Sequence, residues 1–130
     1  MLRAYKYPIT IVEFDSYAED AEKLLGLDGN EVLKGFLSIN PEHGEIVPDT
    51  NGVRHFMWPG PTLGGGGEPQ VVYFFRDLNT PLYLLAIYPD GQSVEFDDEF
   101  RQLLAGLVDT IIQEHLAQHA GVIKLPKSSA

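Results

Sequence analysis

At 130 residues, 44% of them hydrophobic, the chain is sized for one domain with a core of its own. It contains no cysteine, which excludes disulfides, a thiol nucleophile and thiolate metal sites. Its 19 acidic residues against 9 basic ones leave a net charge of -10, so the long-range field repels phosphate backbones and only a local cluster of cations could hold nucleic acid.

Tyr5, Tyr7, Ile9 and Ile11 alternate with other residues at a strand period, predicting a first strand from Tyr5 to Phe14 with Pro8 limiting pairing near its start. Ser16 followed by Glu19 has capping-box spacing. Ala18, Ala21, Leu24 and Leu25 then form an apolar helical face that Gly26 ends. Asp28 and Glu31 repeat the cap spacing ahead of Val32, Leu33, Phe36, Leu37 and Ile39, a second amphipathic helix that stops before Pro41. The two helices form a hairpin with a very short turn. Gly44 to Gly52 reads as a loop, and Val53, Phe56 and Trp58 as a second strand. The stretch from Pro59 to Pro69, dense in glycine and proline, cannot be regular structure.

Val71-Val72-Tyr73-Phe74-Phe75 and Leu82-Tyr83-Leu84-Leu85-Ala86-Ile87-Tyr88 are β-branched and aromatic runs bounded by turn residues, which predicts two buried strands. Asp77 to Pro81 joins them, and Pro89-Asp90-Gly91 is a turn. From Phe96 the spacing of Phe100, Leu103, Leu104, Leu107, Val108, Ile111 and Ile112 is helical, with Glu95, Asp97, Asp98 and Glu99 at the positive end of the helix dipole. The resulting class is α+β: a helical hairpin and a C-terminal helix on a small, mostly antiparallel four-stranded sheet. The hairpin covers one face, and the other is open or covered by the last helix. The domain is expected to span residues 1–120, with 121–130 a flexible tail. No apolar run reaches the length of a membrane span and no signal-peptide core is visible, so a cytoplasmic location without membrane contact is expected.

Three local patterns carry little. The tetraglycine Gly64–Gly67 lacks the Lys and Ser/Thr of a phosphate loop and reads as a flexible hairpin loop. His115 and His119 stand at i and i+4, a metal-capable spacing, but no third ligand is evident and no metal is expected. The acidic cluster Glu95–Glu99 lacks calcium-loop spacing and serves a helix start.

The middle of the chain is more specific. Pro41-Glu42-His43-Gly44-Glu45-Ile46-Val47-Pro48 follows the helical hairpin, Gly52-Val53-Arg54-His55-Phe56-Met57-Trp58 comes next, and a glycine-rich break leads into Gln70-Val71-Val72-Tyr73-Phe74 and a strand ending at Tyr88. This order, from about Ile9 to Gln102, resembles the RelE/HigB family of small bacterial toxins. The family's pattern has basic residues where this chain has His55, Met57 and Gln70, and the lysine expected soon after Tyr88 is absent. The resemblance implies a RelE-like fold and the toxin component of a toxin–antitoxin module, bound by a small antitoxin protein. Active relatives are ribosome-dependent mRNA endonucleases (mRNA interferases) that need no metal and no cofactor, so ribosome and mRNA are further implied partners.

Such a nuclease must activate a ribose hydroxyl, balance phosphate charge and protonate a leaving oxygen. Arg54 is suited to hold a phosphate in two-point fashion, and His55 to act as acid or base. Tyr88 is a second proton-transfer candidate, while Tyr73 can stack on a base and Gln70 lies beside it as a substrate contact. Catalytic roles therefore fall to Arg54, His55 and Tyr88, and substrate binding to Tyr73 and Gln70. The strand period sets Arg54 and Phe56 on one face and His55 and Met57 on the other. A competing structural reading makes Arg54 an ion-pair residue and Tyr73 a core tyrosine with a satisfied hydroxyl. The alternative function is a non-catalytic protein-binding module or homodimer on the same scaffold, using a sheet edge or apolar face.

Overall fold

In a computed structural model, which describes residues 3–5 and 9–123 and the side chains of residues 9–115, the chain forms a mixed sheet with helices on both faces. The elements are β1 (Arg3–Tyr5), β2 (Ile11–Glu13), α1 (Asp15–Ile39), β3 (Glu45–Ile46), β4 (Val53–Met57), β5 (Gln70–Phe74), β6 (Leu82–Tyr88) and α2 (Asp98–Ile123), with a short 3₁₀ turn at Leu63–Gly65. The strands lie in the order β1-β2-β6-β5-β4-β3, and every neighbouring pair is antiparallel except β2 with β6.

The α+β class stands, but the sheet is larger than the expected four strands and is mixed. Two segments account for this. The strand expected from Tyr5 to Phe14 is instead the two arms of an antiparallel hairpin, Tyr5 opposite Ile11, and its second arm runs parallel to β6. Pro8, which has no N–H to give a ladder, falls in sequence between those arms, among residues outside the described ones. The loop expected from Gly44 to Gly52 contributes a two-residue edge strand, Glu45 opposite His55 and Ile46 opposite Arg54. The turn after it uses Asp49 and Asn51 at positive φ, residue types that tolerate that region.

The helical hairpin is present within α1. Gly26 has φ 74° and ψ 172°, a region essentially open to glycine alone, and it breaks the helix there. The Tyr17 hydroxyl donates to Asn30 Oδ1 at 2.9 Å. On an unbroken helix the 13-residue separation would put those residues about 20 Å apart, so the two halves fold back on each other. The capping box at Ser16 is not used: the N-cap is Phe14 in extended geometry, without a side-chain cap, and helix formation starts at Asp15. At α2, Asp97 is the cap, its carboxylate accepting from the Phe100 N–H at 2.8 Å, while Asp98 and Glu99 occupy the first turn. The expected start at Phe96 therefore moves to Asp98. The helix continues through Ile123, and residues 124–130 of the expected tail lie outside the described residues. Among the described residues no helix is long and apolar enough to cross a membrane.

Alternation in the strands sorts side chains into two cores. Ile11, Phe56, Trp58, Val71, Tyr73, Leu82, Leu84 and Ile87 meet Tyr17, Ala21, Leu25, Leu33 and Leu37 of the α1 hairpin. On the opposite face Val12, Val53, Val72, Phe74, Tyr83 and Leu85 meet Leu104, Val108 and Ile111 of α2. The last helix therefore covers the second face. A bulge makes this sorting possible on β6: Val72 pairs with Ala86 but Tyr73 with Leu84, so Leu85 is the extra residue and turns toward α2.

One feature of the α1 side is polar. Glu13 and Lys34, each 1% exposed, lie 3.4 Å apart, and Lys34 also reaches Glu31 at 3.0 Å. Asn30 donates to Glu13 Oε2 at 2.7 Å and accepts from Tyr17, so a buried network ties β2 to both halves of the hairpin.

Candidate functional site

The residues singled out from the sequence lie on the neighbouring strands β4, β5 and β6 but not on one surface. Arg54 and Phe56 face the α1 side and His55 faces the α2 side, as the strand period requires.

On the α1 side, Arg54 is committed to backbone. Its Nη1 donates to the carbonyls of Gly44 at 2.7 Å and Glu42 at 3.0 Å. Its Nε is buried without a hydrogen-bond partner among the described residues. Tyr73, the cross-strand neighbour of Arg54, is fully buried. Its hydroxyl donates to the Pro41 carbonyl at 2.8 Å and accepts the Gly44 N–H at 2.8 Å. Burial pushes the Tyr73 phenol above its ordinary range, opposed by the Gly44 hydrogen bond and the positive charge of Arg54. The two side chains thus fasten the segment Pro41–Gly44 at four points. Gly44 is required by close approach: a Cβ there would lie 2.9 Å from both the His55 carbonyl and the Tyr73 ring. Tyr73 therefore has no ring face free to stack on a base.

Around His55, a cleft of about 530 Å³ is lined by His43, Glu45, His55, Phe56, Met57, Gln70 and Ser93, so it takes residues from both sides of β4. His55 Nε2 stands 3.9 Å from Glu45 Oε1, Nδ1 stands 3.4 Å from Gln70 Nε2, and the ring lies 4.8 Å from that of Phe96. Gln70 is buried and clasps the strap after β6: its Oε1 accepts the Val94 N–H at 2.8 Å and its Nε2 donates to the Val94 carbonyl at 3.3 Å. Tyr88 pairs directly with Gln70 across the ladder and so shares its face. Its phenol is raised by partial burial and by the negative charge of Asp20.

The five sequence candidates thus divide into Arg54 with Tyr73 on one face and His55, Gln70 and Tyr88 on the other. The cleft around His55 is lined by two imidazoles (His43 and His55), one carboxylate (Glu45) and one amide (Gln70), with no arginine or lysine in its lining. It can exchange a proton but offers no cation to a phosphate. His115 lines a small cavity beside Thr10 and the loop Leu78–Pro81, and the side chain of His119 lies outside the described ones.

Sequence reasoning passed over two contributors. His43, inside the Pro41–Pro48 motif, packs edge-on against Phe36 and Phe56 at 4.9 and 5.0 Å and closes one side of the cleft. Arg76, just past β5, lines a second and larger groove at the end of α1. Its signal in the sequence was a lone basic residue at the start of the turn-rich segment Asp77–Pro81, in an acid-rich chain. No protein-family model matches the chain.

Proposed function

We propose that this chain is a RelE/HigB-like component of a toxin–antitoxin module that works by engaging a protein partner, its RNA-cleaving chemistry having lapsed. The motif order from Pro41 to Tyr88 supports the family reading, and the helical hairpin ahead of an antiparallel β4-β5-β6 meander is compatible with it. The observation that carries the non-catalytic part is the use of Arg54. The guanidinium expected to hold the scissile phosphate is bound to the carbonyls of Glu42 and Gly44, on the sheet face opposite His55. The net charge of -10 acts in the same direction.

Inducible expression in a bacterium lacking any cognate antitoxin tests this, with growth and messenger integrity followed for the wild type and for Arg54→Ala and His55→Ala. The expected outcome is normal growth and intact mRNA in all three. Growth arrest with mRNA cutting relieved by His55→Ala would instead support a second reading, a metal-independent endoribonuclease worked from the His55–Gln70–Tyr88 face. That reading is favoured by one observation, the polar cleft in which His55 sits between Glu45 and Gln70.

A further inference from the structure

The strap of residues 89–97 joins β6 to α2 and contributes Ser93 to the lining of the His55 cleft. Its ends are set locally: the Gln92 N–H donates to the Pro89 carbonyl at 2.9 Å, with Gly91 at φ 80°, and Asp97 caps α2. Between those ends the strap is tied to the sheet through buried Gln70. The Val94 N–H donates to Gln70 Oε1, and Gln70 Nε2 donates to the Val94 carbonyl, so the backbone of one residue contacts both ends of the carboxamide. That fixes which end is oxygen, because the reversed amide would set donor against donor and acceptor against acceptor.

Gln70 Nε2 carries a second hydrogen and stands 3.4 Å from His55 Nδ1. A ring nitrogen facing an N–H has to be an acceptor, so Nδ1 is bare and the imidazole's own proton sits on Nε2. Nε2 is the atom turned toward Glu45, at 3.9 Å. With Val94 bound to Gln70, His55 therefore shows an N–H to the cleft and keeps its basic nitrogen against the carboxamide. A further proton has to enter at Nδ1, where it meets the Gln70 N–H, and Gln70 cannot turn over to accept it without breaking both bonds to Val94.

We infer that the strap is a proton-sensitive latch: the Gln70–Val94 clasp and a proton on His55 Nδ1 oppose each other, so acidification releases the strap. Phe96 of the strap lies 4.8 Å from the His55 ring, so release also uncovers the imidazole. The charged groups nearby do not reverse this. Glu45 favours the imidazolium, but it is 88% exposed, so its pull is small. His43 shares the cleft lining and adds like charge once protonated. Tyr88, beyond Gln70 on β6, has a raised phenol and stays neutral in acid. On the strap and α2, Glu95 is exposed, Asp97 is held by the cap, and Arg101 is bound to the Phe96 carbonyl and Asp98. The inference goes beyond the functional reading above: for a binding module and a nuclease alike, it states when the cleft contains a free base.

Nuclear magnetic resonance of the isotope-labelled full chain tests the latch. Imidazole nitrogen shifts report which ring nitrogen carries the proton, and exchange of the Val94 amide with solvent, taken relative to the unstructured rate at each pH, reports the clasp. At about pH 8, His55 is expected with its proton on Nε2 and the Val94 amide protected. By about pH 5, protection of Val94 should fall roughly tenfold or more while the amides of β5 stay protected, and in His55→Phe the fall should be absent. Gln70→Glu keeps an oxygen for the Val94 N–H but sets an acceptor against Nδ1, so the His55 proton should move to Nδ1. A proton on Nδ1 in the wild type at alkaline pH, Val94 protection equal at both pH values, or an equal fall in His55→Phe would overturn the proposal. So would unchanged His55 nitrogen shifts in folded Gln70→Glu; if that variant does not fold, the wild type and His55→Phe decide by themselves.

Discussion

The Tyr73 hydroxyl donates a hydrogen bond to the Pro41 carbonyl and accepts one from Gly44, so a single oxygen satisfies a partly buried carbonyl and a buried N–H. Tyr73→Phe leaves both unpaired and is expected to cost about 1–3 kcal/mol in urea unfolding; a loss within error of zero would mean the clamp does not hold the segment. The same residue sets a pH dependence. Its phenol, like those of Tyr83 and Tyr88, is raised by burial, so the folded chain keeps protons that the unfolded chain releases. Stability is then intact below about pH 10 and falls as pH rises toward the folded-state values. Alkaline titration followed by circular dichroism and tyrosinate absorbance checks this, and Tyr73→Phe should flatten the alkaline decline. Arg54→Ala removes two charge-assisted hydrogen bonds to carbonyls and is expected to cost about 1–3 kcal/mol, a structural loss with no companion loss of RNA chemistry.

Within α1, the break at Gly26 and the buried Glu13–Lys34 pair decide how the hairpin sits. Gly26→Ala forces a side chain into a backbone region only glycine adopts readily and brings its Cβ to 3.2 Å from Leu63, so a destabilisation of about 1–3 kcal/mol is expected by thermal melting. Lys34→Ala leaves the Glu13 carboxylate buried without its cation and should cost roughly 3–5 kcal/mol, with Glu13→Gln/Lys34→Met costing less than the sum of its single changes. Additive losses would show the pair to be uncoupled. The hairpin was legible because glycine between two apolar runs of helical period has one simple meaning, and the faces of β4 followed from a period of two. The buried network was not legible. Glu13 and Lys34 read locally as a strand-end acid and a helix-surface base, and only the tertiary fold brings them together. For the same reason the edge strand Glu45–Ile46 was invisible: two residues carry no periodicity, and their pairing is imposed by Arg54 and His55 across the ladder. Of the site, the residues on β4 and β5 and the opposite faces of Arg54 and His55 were legible from the motif and the strand period, whereas the backbone carbonyls that Arg54 binds and the Val94 strap that Gln70 clasps were not.

At the scale of the whole molecule, a net charge of -10 surrounds a sheet whose two faces are both occupied, leaving activity to its edges and ends. The cleft at His55 has proton donor-acceptors without an arginine or lysine, and the groove at the end of α1 sets exposed Ile39 and Leu78 beside Arg76, Glu42 and Asp77. The most direct measurement adds the purified chain to ribosomes translating a defined messenger and maps the transcript ends by primer extension, for the wild type and Arg54→Ala. Identical full-length ends with and without the chain are expected. New ends in the translated region that vanish with Arg54→Ala, while that variant melts like the wild type, would contradict the account, because Arg54 would then be serving a phosphate and not the fold.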